Sequence, residues 1–130
     1  MTDTTIFEVS NLRFSKPQVS CGARVSAASF KAIFCARLRH AREIAGLSQK
    51  QLGIKAGLDE FVASARINRY ETGLHHPDIQ TVARLASVLD VPTAYLYATD
   101  KRLARMIAGF NRLSQRKQSA ILRQLPDADY

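Results

Sequence analysis

A chain of 130 residues with 46% hydrophobic residues fits one domain with extensions and is too apolar to be disordered throughout. It holds no run near the roughly 18 apolar residues of a membrane span, and its two cysteines exclude a disulfide framework or a four-cysteine zinc site. A net charge of +8 and a pI near 10.0 ask for a polyanion, either nucleic acid or an anionic surface.

That charge is spread along the chain. Residues 1–29 carry three basic and two acidic residues, residues 30–99 nine and six, and residues 100–130 seven and three. The C-terminal part is the most basic per residue, so bulk charge does not locate a binding face.

Residues 1–28 are weakly patterned: Pro17 and Gly22 interrupt them, and Ser and Thr are frequent. They read as an N-terminal arm or an unstructured leader; as an arm, Arg13, Lys16 and Arg24 suit contacts to a groove. With Asp3 and Glu8 and no basic-then-apolar block, the start does not resemble a signal peptide, so a cytoplasmic protein with reduced Cys21 and Cys35 is expected.

A first helix is expected from near Ser29 to Gly46, with Phe30, Phe34, Leu38, Ala41 and Ala45 on one core-facing stripe, and Arg37 and His40 off it. Arg42 sits at the stripe's edge. Ser48 with Gln51 makes an S-x-x-Q capping box for a second helix, flanked by Leu47 and Leu52 in staple positions and stopped by Gly57. A third helix ends at Glu71-Thr72 before Gly73. Ile67 and Tyr70 face inward on it, which leaves Ser64, Arg66, Asn68 and Arg69 on the outward arc.

A fourth helix is expected from an Asp78 cap to about Leu89, with Ile79, Val82, Ala83, Ala86 and Leu89 buried. Val91-Pro92 breaks the chain, and Thr93 to Tyr97 forms a short fifth helix whose Tyr95, Leu96 and Tyr97 cap the core. From Asp100 an amphipathic helix carries Leu103, Met106, Ile107, Phe110 and Leu113 among Lys101, Arg102, Arg105 and Arg112. Ser114 caps a last short helix with Ile121, Leu122 and Leu125. Such a hairpin is too small to stand alone, so it lies on the five-helix core or on a second subunit, the latter being preferred.

The string Leu38-Arg39, Arg42-Glu43, Gly46-Leu47-Ser48-Gln49, Leu52, Ala56-Gly57, Ile67, Tyr70-Glu71, Gly73, Pro77, Leu85-Ala86 and Val91-Pro92 resembles the Cro/C1-type (XRE) helix-turn-helix regulators. The resemblance covers roughly residues 30–99, and several anchors fall in order. It implies an all-α chain: a five-helix lambda-repressor-like DNA-binding domain over 29–99, after the arm of 1–28 and before C-terminal amphipathic helices over 100–130. Two departures stand out. The spacing between Gly57 and Gly73 is four residues longer than usual, with Leu58 to Phe61 the excess, and position 53 is Gly where the family has Ala. The excess either lengthens the third helix from an Asp59 cap or widens the turn before it. Widening is preferred, because a longer helix would bring Asp59 and Glu60 toward phosphates. Phe61 and Ile54 are then expected to pack together, and Gly53 is expected to fill the same close contact as alanine at a propensity cost of about 1 kcal/mol.

By the same resemblance Arg42 pairs with Glu71, as a clamp on the third helix, and Gln49 braces the backbone or a base edge. Lys50 beside it suits a phosphate, and amide ends of the second and third helices favour anions. Ser64, Ala65, Arg66, Asn68 and Arg69 align with positions that face the groove, and His75 and His76 with positions near the backbone. Arg66 or Arg69 has the geometry for a guanine O6/N7 pair and Asn68 for an adenine, while Ala65 can meet only a thymine methyl. Each arginine alone also suits a solvated or phosphate-only role. Adjacent histidines without a spaced third ligand do not make a zinc site.

The function expected is a non-enzymatic, sequence-specific transcriptional regulator of double-stranded DNA, a repressor by the resemblance with activation left open, dimeric on a two-fold operator, needing neither metal nor cofactor and no membrane. The alternatives are an antitoxin that binds a toxin protein and represses its own operon, or a bridging cofactor that binds a protein partner. No Ser-His-Asp, carboxylate-pair or Gly-rich phosphate-loop constellation points to an enzyme.

Overall fold

The computed structural model describes residues 26–127, which are all-helical. The arm residues Arg13, Lys16 and Arg24, and Cys21, lie outside the described residues. One compact unit, Ser26–Leu113, holds α1 (Ala27–Ile44), α2 (Gln49–Lys55), α3 (Ala63–Thr72), α4 (Ile79–Val88), a 3-10 helix (Thr93–Tyr97) and α5 (Lys101–Phe110). A second unit includes α6 (Gln115–Leu122), whose N-cap Ser114 accepts from the backbone N–H of Lys117 at 3.4 Å. Among the described residues no helix is long and apolar enough to cross a membrane.

Most helix starts carry their own local chemistry, whereas α3 and the 3-10 helix begin after Val62 and Pro92 with no side-chain cap. Ser26, Ser48, Asp78 and Asp100 are N-caps whose side chains accept from the first turn of α1, α2, α4 and α5, satisfying donors that a helix leaves open. The hydrogen bonds to Asp78 from the backbone N–H and hydroxyl of Thr81, and to Asp100 from the backbone N–H groups of Leu103 and Arg102, hold both carboxyls below the usual range. Helix α2 ends in paired bonds, Leu58 N to Gly53 O at 2.9 Å and Gly57 N to Ile54 O at 3.0 Å, around Gly57 at φ 86°. Helix α4 ends the same way around Asp90 at φ 54°, an aspartate where glycine is the easier choice.

The core gathers Phe34, Leu38 and Ala41 of α1, Leu52 of α2, Ile67 and Tyr70 of α3, Val82, Leu85 and Ala86 of α4, and Tyr95 and Leu96. Arg37, expected off the core stripe, closes this side: its Nη2 and Nε both donate to the Ala98 carbonyl, at 2.9 and 3.2 Å, and its guanidinium lies 5.5 Å from the Tyr95 ring.

Several expected core positions are corrected. Phe30 and Ala45 are exposed, because α1 extends past the core at both ends. On α4 the buried face is Thr81, Val82, Leu85, Ala86 and the capping Leu89; Ile79, 80% exposed, and Ala83 lie four apart on the opposite ridge. On α5 Ala104 is buried and Ile107 and Ala108 pack on the core, while Leu103 and Met106 stay exposed. The small Ala104 lets α5 approach closely, so the stripe of large residues is turned partly outward.

The four-residue excess takes the wider-turn course. The Asp59 carboxylate accepts from Phe61 N at 2.8 Å, and the Asp59 carbonyl accepts from Val62 N and Ala63 N at 3.1 and 2.8 Å, which makes a turn that ends where α3 begins. The expected Phe61–Ile54 packing is absent: Phe61 is 92% exposed and Ile54 is exposed too. Leu58 supplies the turn's anchor on the core instead. Gly53 is also corrected. A Cβ placed there would lie 2.7 Å from Ala63 Cβ and 3.0 Å from the Ala63 backbone, so α2 and α3 approach more closely than alanine permits.

Candidate nucleic-acid interface

The helix pair is built from α2 outward. Its capping box is closed in both directions: Gln51 N donates to Ser48 Oγ at 3.0 Å and Ser48 N to Gln51 Oε1 at 2.9 Å. That start fixes Gln49 and Lys50 at the head of α2. The Gly53–Ala63 contact and the buried Ile67 and Tyr70 then set the rotation of α3 about its own axis. Ser64, Ala65, Arg66, Asn68 and Arg69 are left exposed as a result. Helix α3 closes at Gly73, φ 79°, and Thr72 Oγ1 donates to the Asn68 carbonyl at 2.9 Å.

The far end of α3 is held by charge. The Glu71 side chain is 0% exposed. Arg42 Nε donates to its Oε1 at 2.5 Å and Arg42 Nη2 to its Oε2 at 3.2 Å, a two-pronged pairing between α1 and α3. Arg42 Nη1 also donates to the Leu47 carbonyl at 3.0 Å. Gln49 Nε2 donates to Glu71 Oε2 at 2.9 Å, and Arg39 Nε lies 3.5 Å from the same oxygen. Burial pushes the Glu71 carboxyl up, but hydrogen bonds from Arg42 and Gln49 and the charges of Arg42 and Arg39 outweigh it, so the net shift is downward. The bond to Glu71 raises Arg42.

The candidates therefore separate into groups. Arg66, Arg69 and His75 line one hollow of about 380 Å³, together with Tyr70, His76, Pro77 and Asp78. Ser64, Ala65 and Asn68 are exposed on α3 but do not line it. Gln49 is half-buried, with its amide turned to Glu71, and Lys50 forms a surface ion pair with Glu60 at 3.5 Å. The two histidines diverge. The backbone N–H of His75 donates to the Arg69 carbonyl at 3.3 Å, whereas the His76 ring lies 4.7 Å from that of Phe34, with Nε2 3.2 Å from the Tyr97 hydroxyl. His76 is thus a packing residue of the loop.

Arg39 is not among the sequence candidates, yet it adds a second cation at Glu71. Its signal is its place three residues before Arg42, on the same side of α1. The half-buried thiol of Cys35 donates to the Tyr70 carbonyl at 3.2 Å, a further tie from α1 to the end of α3. Burial pushes this thiol up, despite the charges of Lys31 and Arg39, so it is a poor nucleophile.

Residues 33–96 match the family model described as a helix-turn-helix domain. The chain is also similar to the transcriptional regulator BswR, known from a crystal structure. The two share 46% sequence identity with a TM-score of 0.65, over 68% of this chain and 88% of that one. No curated protein matches the chain in sequence.

Proposed function

The chain belongs to the helix-turn-helix family of transcriptional regulators, and from that premise we propose that it reads the major groove of a two-fold operator with α3, as a homodimer that represses transcription. One observation carries this reading. Arg66, Asn68 and Arg69 stand exposed on the arc of α3 opposite the buried Ile67 and Tyr70, on a helix tethered through Glu71 to both α1 and α2. Arginine and asparagine are the side chains best suited to bidentate reading of guanine and adenine edges, and a tethered helix loses little freedom on docking.

In this reading Ser64 and Ala65 approach the groove wall and bases with them, His75 meets a phosphate, Lys50 stands where a phosphate would meet it once it is free of Glu60, and Gln49 acts by holding Glu71 at the start of α2. Arg42 and Glu71 serve as the clamp. A single short helix pair gives weak discrimination, so a second copy related by two-fold symmetry completes the site. The exposed Leu103 and Met106 on α5 support such pairing.

The test is retention of binding to a selected duplex against excess bulk genomic DNA. The logarithm of the affinity is expected to fall with that of salt at a slope of about −0.9 per phosphate neutralised. Complete loss to the competitor, or indifference to salt, overturns the reading.

A further inference from the structure

The four-residue excess places an acidic side chain beside the proposed DNA face, which a phosphate-binding surface should avoid. Within residues 49–72 the basic side chains are Lys50, Lys55, Arg66 and Arg69, and the acidic ones Asp59, Glu60 and Glu71. Glu71 is buried and paired with Arg42, so it presents no free charge outward. The exposed Asp59 carboxylate accepts from the N–H of Phe61 and keeps its charge, as a second acidic group of the same turn. Glu60, one residue on in a turn that Asp59 holds from both sides, has its Oε1 3.5 Å from Lys50 Nζ, and the two side chains are 64% and 55% exposed. An ion pair so exposed contributes little to holding the fold. Its consequence lies in what approaches the surface, because it occupies one of the four cations and sets a carboxylate beside it.

We propose that Glu60 is a brake on DNA affinity that acts through Lys50: it engages the Lys50 ammonium and so limits sequence-independent binding to phosphates. The proposal rests on the DNA-binding reading above. Binding to random DNA is almost wholly electrostatic, so it is where such a brake is felt most. It keeps the protein from being absorbed by the great excess of non-operator sites. Glu60 sits in the turn ahead of α3, within reach of Lys50 at the start of α2.

The experiment is a fluorescence-anisotropy titration of the full chain on a random-sequence duplex, comparing wild type with Glu60→Gln, Lys50→Ala and the double variant. A unit charge at such a separation near a solvated surface predicts a gain of roughly 3–10-fold for Glu60→Gln. The salt slope should steepen by about 0.9, the signature of one further phosphate contact. Glu60→Ala should give the same gain, and thermal melting should not move. In the Lys50→Ala background the gain should be lost. Equal affinities for wild type and Glu60→Gln overturn the proposal while leaving the DNA reading intact. So does an undiminished gain without Lys50, which would assign the effect to bulk repulsion. A wild-type chain that binds no duplex overturns the DNA reading itself, and this proposal with it.

Discussion

Gln49 Nε2 donates to Glu71 Oε2 at 2.9 Å, and that bond joins the first residue of α2 to the last turn of α3. Arg42 holds the same carboxylate from α1, so three helices converge on one buried anion. The exposed arc of α3 inherits its orientation from this node at one end and from the Gly53–Ala63 contact at the other.

Removal of Arg42 leaves Glu71 buried with too little compensation. Arg42→Ala is expected to cost roughly 2–4 kcal/mol, near the lower end of the range for a broken buried pair, since Arg39 and Gln49 remain. Urea unfolding of Arg42→Ala, Glu71→Gln and the double variant measures the coupling, expected to exceed about 1 kcal/mol. Additive losses would remove the clamp from the account.

Acid should loosen the same node. The Glu71 carboxyl lies below its ordinary value of 4.5 in the folded chain, so the unfolded chain binds the proton more readily. Its contribution is complete above about pH 4.5 and is lost as the pH falls through the lower folded value. Stability measured between pH 6 and pH 3, on the order of single-unit steps, should fall less steeply in Glu71→Gln than in wild type. Parallel profiles would contradict the depressed carboxyl.

Gly53→Ala tests the close approach of α2 and α3. Helix propensity favours alanine by about 1 kcal/mol. The new Cβ, however, would meet the Ala63 Cβ and backbone, and backbone cannot swing aside as a flexible side chain does. Overpacking of this kind costs about 1–3 kcal/mol, so a net lowering of the melting temperature is expected. A rise in melting temperature would show that the helices have room to spare.

The widened turn yields a paired prediction. Phe61→Ser, at a position 92% exposed, should change stability by less than about 0.5 kcal/mol. Leu58→Ala, which withdraws the turn's anchor from the core, should cost about 1–3 kcal/mol. Thermal melts that reverse this order would mean that the turn is anchored through Phe61.

Much of this was legible in the sequence because it rests on local chemistry. The capping box of Ser48 and Gln51, the Asp78 cap and the glycine stops are short-range devices, and they stand where their residue types indicate. The core faces were harder. Ile79 has the hydrophobicity of a core residue, but the ridge formed by Val82, Leu85 and Ala86 decides which side of α4 is buried. On α5 the buried residue is the small Ala104, so the strongest apolar periodicity, through Leu103 and Met106, does not mark the face in contact. Side-chain size alone could not reveal that Gly53 excludes alanine, because the constraint comes from a helix ten residues on. Of the candidate site, the exposed arc of α3 followed from the inward spacing of Ile67 and Tyr70; the partnerships of Gln49 with Glu71 and of Lys50 with Glu60 required the tertiary arrangement.

The central claim is that the exposed side chains of α3 read base pairs. Selection of bound duplexes from a random pool, run in parallel with wild type and Arg69→Ala, tests it most directly. The account predicts that wild type enriches a defined half-site, repeated with two-fold symmetry about one helical turn (~34 Å) apart. It predicts that Arg69→Ala loses preference at particular base pairs, by about 1–3 kcal/mol, while other positions keep theirs. A wild-type pool with no enriched sequence, or an Arg69→Ala loss equal on every duplex, would contradict it.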